Sequence, residues 1–562
     1  MTLRRTLPCS TLLAIALMAT AAQPATAAQP GPGGAPHVVR GVSTPDGATV
    51  AARAPAGVAG APAQHPTTGW RFLDIRSHDG VVLKANVIAP STPGRHPAIV
   101  FVSSWSLNDA QYLAQAKILA RAGYVVLSYT ARGFWGSGGQ IETAGPPDVA
   151  DLSSVLDWLV ANTAADPARI GAGGVSYGAG ISLLAASRDH RIRAVTAMSG
   201  WTDMVASLYG DQTRRPQAAW FLQSTADLFG RPSPEFDEFA ADYFANRNVE
   251  PLKAFGRLRS PATYLDGINA SRPAILLANA YGDSLFSPNQ LVDFVGRLAG
   301  PARLELAPGD HAIPEITGLI GLPNHVWTST RRWFDEHLAG IDTGMSDERV
   351  VLRVRNAPGQ VETYANWAQV GTTTRRYHLG DVTRWDRVGP LSAQAPASAA
   401  WSETFRADGE TVAKGGVILL SGGLEALTGT PATAWLPAVD RNRGAVWTTG
   451  PLPRGAAVRG IPRVHLTVNS SADQGTVVAY LYDVDSTGTG RLITHAPYTW
   501  LDQKPGAPMA VDVALPATAW DVPAGHRLEL VVDTEDALYL GRNPRGAVVS
   551  VNGSSWVDVP TR

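Results

Sequence analysis

The sequence predicts an α/β protein: an open sheet with helices on both faces and a helical cap inserted in it, followed by an all-β sandwich. Three observations carry this expectation. Between residues 98 and 338 continuous apolar runs alternate with amphipathic helical stretches, the pattern of strands buried on both faces. One of those strands turns at Gly174-Val175-Ser176-Tyr177-Gly178 straight into a helix. Beyond Ser346 the helical period stops and short alternating segments take over.

Size and composition set the frame. A chain of 562 residues is expected to hold two or three domains, and 45% hydrophobic with 17% charged residues is a globular balance. A net charge of −1 offers no electrostatic footprint for nucleic acid or an anionic membrane. Residues 1–27 read as an export signal: Arg4 and Arg5, an apolar run over 11–20 too short to span a bilayer, then Ala25-Thr26-Ala27 as a cleavage site. The protein is therefore expected outside the cell, not inserted in a membrane. The single cysteine, Cys9, falls inside that signal. Disulfides, thiolate metal sites and a cysteine nucleophile are excluded from the processed chain. Residues 28–68, rich in Ala, Pro and Gly, read as a flexible leader.

The first domain is expected over 69–342. Residues 71–76 and 81–88 form a hairpin around Asp79-Gly80, and 98–102 is a buried strand. Helix 109–121, strand 124–129, helix 148–161, the Ser176 turn with its helix, and strand 192–198 continue the β-α-β rhythm. An aromatic-rich helical stretch over 201–265 interrupts it as the cap. Strands 273–279 and 302–307 and helix 324–338 complete the sheet. Residues 346–562, beginning with 350–354, are assigned to a jelly-roll sandwich.

The chemistry starts at Ser176. G-x-S-x-G at a strand-to-helix turn thrusts the hydroxyl above the sheet, and the Tyr177 N–H then opens a helix beside it as an oxyanion donor. A serine nucleophile needs a base and an acid, here expected in the order Ser, acid, His. Strand 273–279 ends in Tyr281-Gly282-Asp283, and strand 302–307 in Gly309-Asp310-His311. Both sit at carboxyl ends of neighbouring strands, above the same sheet edge. Asp283 is the expected acid and His311 the base, with a swap between Asp283 and Asp310 left open. The second oxyanion donor is expected from the turn after strand 98–102, where Trp105 offers its backbone N–H or its indole N–H. No cluster of metal-ligand spacing and no phosphate loop stands out, so neither metal nor cofactor is expected.

With these residues placed, the chain resembles the X-Pro dipeptidyl-peptidase family of serine hydrolases, which includes cocaine esterase, glutaryl acylases and α-amino acid ester hydrolases. The resemblance rests on the Ser176, Asp283 and His311 segments, on Thr130-Ala131-Arg132-Gly133 with Gly136-Ser137-Gly138-Gly139, and on Pro462-Arg463-Val464-His465-Leu466, Ala479-Tyr480-Leu481-Tyr482-Asp483-Val484 and Pro523-Ala524-Gly525-His526-Arg527-Leu528 in the sandwich. It implies an α/β-hydrolase domain and acyl transfer to water through an acyl-enzyme on Ser176, with a small-molecule or peptide-like acyl substrate. Two departures bear on the substrate. Trp105 stands where related esterases carry an oxyanion-hole tyrosine, and no convincing carboxylate cluster for a substrate ammonium is present beyond Asp203 and nearby Asp211. Trp201 and Asp203, at the start of the cap, are the candidate substrate-binding residues. The pattern favours an esterase or amidase for a neutral acyl group. The alternatives are a dipeptidyl-peptidase and, in another class, a non-catalytic surface-binding protein.

Overall fold

The computed structural model describes residues 68–382 and 385–562. The export segment expected over 1–27 and nearly all of the leader lie outside the described residues.

Ten strands form the first sheet: β1 (Thr68–Arg76), β2 (Val82–Pro90), β3 (His96–Val102), β4 (Val125–Tyr129), β5 (Ala165–Val175), β6 (Ile192–Met198), β7 (Ala274–Ala280), β8 (Ala302–Ala307), β9 (Val350–Arg353) and β10 (Val361–Tyr364). Their order is β1-β2-β4-β3-β5-β6-β7-β8-β9-β10. The β1–β2 hairpin and the β2–β4 pair are antiparallel. From β4 through β9 every neighbouring pair is parallel. Parallel strands need covered faces, and every residue of β4, β7 and β8 is buried. Helices Pro146–Asn162 and Tyr177–Ala186 bury Leu152, Leu156, Ile181 and Leu184 on one face. Helices Leu113–Arg121 and His325–His337 bury Leu119, Trp333 and Phe334 on the other. Gly171 in β5 lets the second layer approach: a Cβ there would lie 2.6 Å from the Phe334 ring.

Between β6 and β7 the chain leaves the sheet and builds the cap from helices Met204–Leu208, Pro216–Phe229, Pro234–Ala245, Val249–Leu258 and Leu265–Ser271. The expected insertion over 201–265 therefore corresponds to a helical excursion at the carboxyl edge of the sheet.

The second domain is a two-layered β sandwich. In one layer Gly475–Val484 pairs with Thr489–Trp500 and Arg527–Asp533. In the other Val548–Thr561 pairs with Thr373–Leu379, Ser402–Arg406 and Arg463–Ser470. Trp447, Leu481, Leu466 and Val549 meet in the core between them.

Two features differ from the sequence reading. Residues 350–354 were assigned to the sandwich, but β9 pairs in parallel with β8 and extends the first sheet, with β10 as its edge. A four-residue apolar run looks the same in either domain, and only its pairing partner decides. The second feature is a helix, Leu420–Thr428, inside a domain expected to be all β. Gly422 and Gly423 weaken its intrinsic helicity, so tertiary contact holds it. Gly422 lies against Asp310, where a Cβ would come within 2.6 Å of the Asp310 Cβ.

That helix also locks the domains together. Glu425 takes a bidentate pair from Arg355, which follows β9, at 2.6 and 2.9 Å, with both side chains buried. A buried pair matters most when broken, because the partner stays behind uncompensated. Glu425→Ala is expected to cost about 3–5 kcal/mol in denaturant unfolding, and the double change Arg355→Met with Glu425→Leu to recover most of it.

Candidate active site

The turn between β5 and helix Tyr177–Ala186 puts Ser176 at φ 58° and ψ −113°, a backbone region a side chain adopts only under strain. The surroundings hold it there. Ser176 N–H donates to Met198 O at 2.8 Å, and Gly178 packs so closely that a Cβ would meet Val102 O at 2.1 Å. Any larger residue at 178 would push the helix off the sheet.

His311 follows β8 and Asp283 follows β7. His311 Nε2 lies 2.8 Å from Ser176 Oγ, and His311 Nδ1 lies 3.0 Å from Asp283 Oδ2. All three side chains are buried. The other oxygen of Asp283 accepts the N–H groups of Leu285 at 2.9 Å and Phe286 at 2.7 Å, which fixes the carboxylate plane. Asp310 shapes the loop instead: it accepts from Ser284 N, His311 N and Leu419 N at 2.7, 2.7 and 2.8 Å. The geometry thus gives Asp283 the contact to His311, and a sandwich N–H helps to hold the loop that carries His311.

Burial alone would pull the His311 pKa down; the Asp283 charge and hydrogen bond, with Asp310 and Glu315 behind them, outweigh it and leave the pKa above the ordinary 6.5. Glu315 escaped the sequence reading. It is fully buried, accepts from the Ser199 hydroxyl at 3.1 Å, and Ser199 in turn accepts from Ala312 N at 3.0 Å. Burial holds its carboxyl up at about 7, a rise the Ser199 hydroxyl only partly offsets. Nothing at the sequence level marks a lone glutamate four residues after the histidine.

Among the described residues two backbone N–H groups have no acceptor, that of Tyr177, next to Ser176 in the chain, and that of Trp105, which lines the same cavity as Ser176. The indole N–H of Trp105 is committed elsewhere. It donates to Leu222 O and Thr225 Oγ1 on the cap, both at 3.1 Å. Of the two sources that the sequence leaves open on Trp105, only the backbone N–H lacks an acceptor among the described residues. The Trp105 ring stands edge-on to Phe134 and Tyr177, with centroids 4.9 and 5.1 Å away. The Tyr177 hydroxyl donates to buried Asp148 at 3.0 Å and accepts from Ala144 N at 2.7 Å. Burial and the neighbouring Asp151 raise the Asp148 pKa to about 7.

A cavity of about 60 Å³ opens at Ser176 and His311, walled by Trp105, Phe221, Leu222, Leu285, Ile316 and Leu319 among others. The two substrate-binding candidates do not reach it. Trp201 is 2% exposed, packs on Gly180 and Phe286, and bonds Arg259 O at 2.7 Å, so it anchors the base of the cap. Asp203 caps the helix Met204–Leu208 through Ala206 N at 2.9 Å. It lines a separate cavity of about 670 Å³ between cap, sheet and sandwich, which Asp211, Asp283 and Asp310 also line and Ser176 does not. Among the described residues His78, Asp79 and Asp151 converge, but Arg132 already pairs both carboxylates at 2.9 and 2.6 Å.

Comparison with known proteins agrees with this architecture. The family model for X-Pro dipeptidyl-peptidase (S15 family) matches residues 79–313, and that for the X-Pro dipeptidyl-peptidase C-terminal non-catalytic domain matches 343–558. An aminopeptidase from a marine sediment Thaumarchaeota archaeon superposes with a TM-score of 0.69 at 16% identity, covering 88% of this chain and 97% of that one. An α-amino acid ester hydrolase gives 0.67 at 16% over 90% and 98%. A CocE/NonD family hydrolase from Staphylococcus aureus gives 0.67 at 13% over 87% and 93%. These likenesses speak to the fold. An uncharacterized Escherichia coli protein, YcjY, is 35% identical over 105 residues, 16% of this chain and 34% of that one. The chain spans about a third to a half of the length of the curated relatives it matches. With both domains matched in order by models of one family, the chain belongs to the X-Pro dipeptidyl-peptidase (S15) family of serine hydrolases.

Proposed function

We propose that the protein is an exported carboxylic ester hydrolase for small, neutral acyl groups. The observation that carries this reading is the cavity at Ser176: about 60 Å³, apolar over most of its wall, with no carboxylate to receive a substrate ammonium. An X-Pro dipeptidyl-peptidase must hold a charged amino terminus near the scissile bond, and a bare cavity of this kind would leave that ion unpaired.

In this reading Ser176 Oγ attacks the ester carbonyl while His311 Nε2 takes its proton. Asp283 keeps Nδ1–H oriented and stabilises the imidazolium. The carbonyl oxygen becomes an oxyanion held by the Tyr177 and Trp105 backbone N–H groups. Collapse breaks the bond to the alcohol, which leaves with the proton from His311. Water, deprotonated by the same imidazole, then attacks the acyl-enzyme; the acid departs and Ser176 regains its proton.

The test offers p-nitrophenyl acetate and butyrate in parallel with Gly-Pro-p-nitroanilide to protein recovered outside its host cells, with the N-terminus expected at Ala28. Ester turnover without anilide turnover is the expected result. Preferred cleavage of the anilide overturns the reading in favour of a dipeptidyl-peptidase, and an N-terminus still at Met1 on cell-retained protein overturns export.

A further inference from the structure

The cap contains a second cavity, of about 140 Å³, bounded by Leu208, Phe236, Phe239, Phe244 and Leu252. It is almost wholly apolar. Leu222 lines both this cavity and the one at Ser176. The helix Pro216–Phe229 explains why. Ala219, Leu222 and Gln223, spaced i, i+3, i+4, face the cap cavity, while Phe221 and Leu222 face the site. The other part of the partition is the Trp105–Phe236 contact, with rings 5.8 Å apart. Trp105 is held by its bonds to Leu222 O and Thr225. Leu222 is thus the residue that the two linings share.

We propose that Leu222 sets the acyl chain length and that the cap cavity is a latent subsite for the aliphatic tail of a medium-chain acyl group. This rests on the ester-hydrolase reading above and deepens it. An apolar cavity of about 150 Å³ accepts a six-carbon hydrocarbon such as benzene, so the cap cavity joined to the site takes a chain of about eight carbons. With Leu222 in place the chain ends at the wall. Charge plays no part: Lys253 is the only ionisable side chain besides two tyrosines on the lining.

The experiment compares kcat/KM for p-nitrophenyl octanoate and p-nitrophenyl acetate in the wild type and in Leu222→Ala. The octanoate-to-acetate ratio is expected to rise about tenfold or more, driven by octanoate. Adding Ala240→Phe, which refills the cap cavity from the helix Pro234–Ala245, is expected to return the ratio to the wild-type value. Leu222→Val opens the wall less, keeps the helix packing and moves the ratio the same way by a smaller factor, so it decides the matter if Leu222→Ala does not fold. A folded variant that hydrolyses acetate with an unchanged ratio overturns the subsite alone. A wild type that turns over no ester overturns both the subsite and the ester-hydrolase reading.

Discussion

Replacing Ser176 by Ala is expected to lower kcat by about 10⁶-fold, the scale seen when a serine nucleophile is removed from a hydrogen-bonded Ser–His pair. KM for a short ester is expected to stay within a few fold, because the cavity wall and both candidate oxyanion N–H groups remain. The fold should tolerate the change: the Ser176 N–H to Met198 O bond is a backbone bond, and Ala at φ 58° carries the same strain as Ser. Rate measurement together with thermal unfolding checks it. A variant as active as the wild type would remove Ser176 from the chemistry, and the non-catalytic reading would return.

Asp283→Asn carries the second large effect. The carboxylate orients His311 through Nδ1 at 3.0 Å and is itself clamped by Leu285 and Phe286 N–H groups. An amide in that place can present its NH₂ to Nδ1 and select the tautomer that puts a proton on Nε2, where Ser176 needs an acceptor. A loss of about 10⁴-fold in kcat is expected. The pH profile gives a second reading. His311 must be neutral to accept the serine proton, and its pKa lies above 6.5 because Asp283 outweighs burial. Wild-type kcat/KM therefore falls as pH drops through that raised value. Without the Asp283 charge burial dominates, so the acid limb of the residual activity moves to lower pH. An acid limb that does not move would show that another group controls it.

Much of the candidate site is legible in the sequence. Ser176, Asp283 and His311 each sit at the end of a buried strand, and the glycines around Ser176 announce a turn that tolerates no Cβ. What the sequence hid were relations between distant segments. The Trp105 indole is tied to Thr225 in the cap, 120 residues away, so its donor is not available to the site. Asp203 is a candidate for a substrate ammonium only through the family resemblance, and its local duty is to cap the helix Met204–Leu208. Glu315 and Ser199 come from different strand ends and meet only in three dimensions. The helix Leu420–Thr428 is masked by two glycines and stabilised by contact with the loop of Asp310. β9 lacked any mark of its sheet until its pairing with β8 was seen.

The position of the sandwich follows from the same contacts. Leu419 N–H holds Asp310, whose other oxygen holds His311 N–H and Ser284 N–H. The second domain thus reaches the His311 loop through one carboxylate, and the buried Arg355–Glu425 pair fastens the helix that delivers it. Stability of the interdomain contact and order at the site are linked through residues that touch each other.

The proposed acyl-enzyme on Ser176 is tested by acid-quenching the protein during turnover of p-nitrophenyl butyrate and mapping the acyl group by peptide mass spectrometry. A burst approaching one p-nitrophenol per chain is expected, with a butyryl group on the peptide that carries Ser176, absent in Ser176→Ala. Turnover with no covalent acyl group at Ser176, or with the group on another residue, would contradict it.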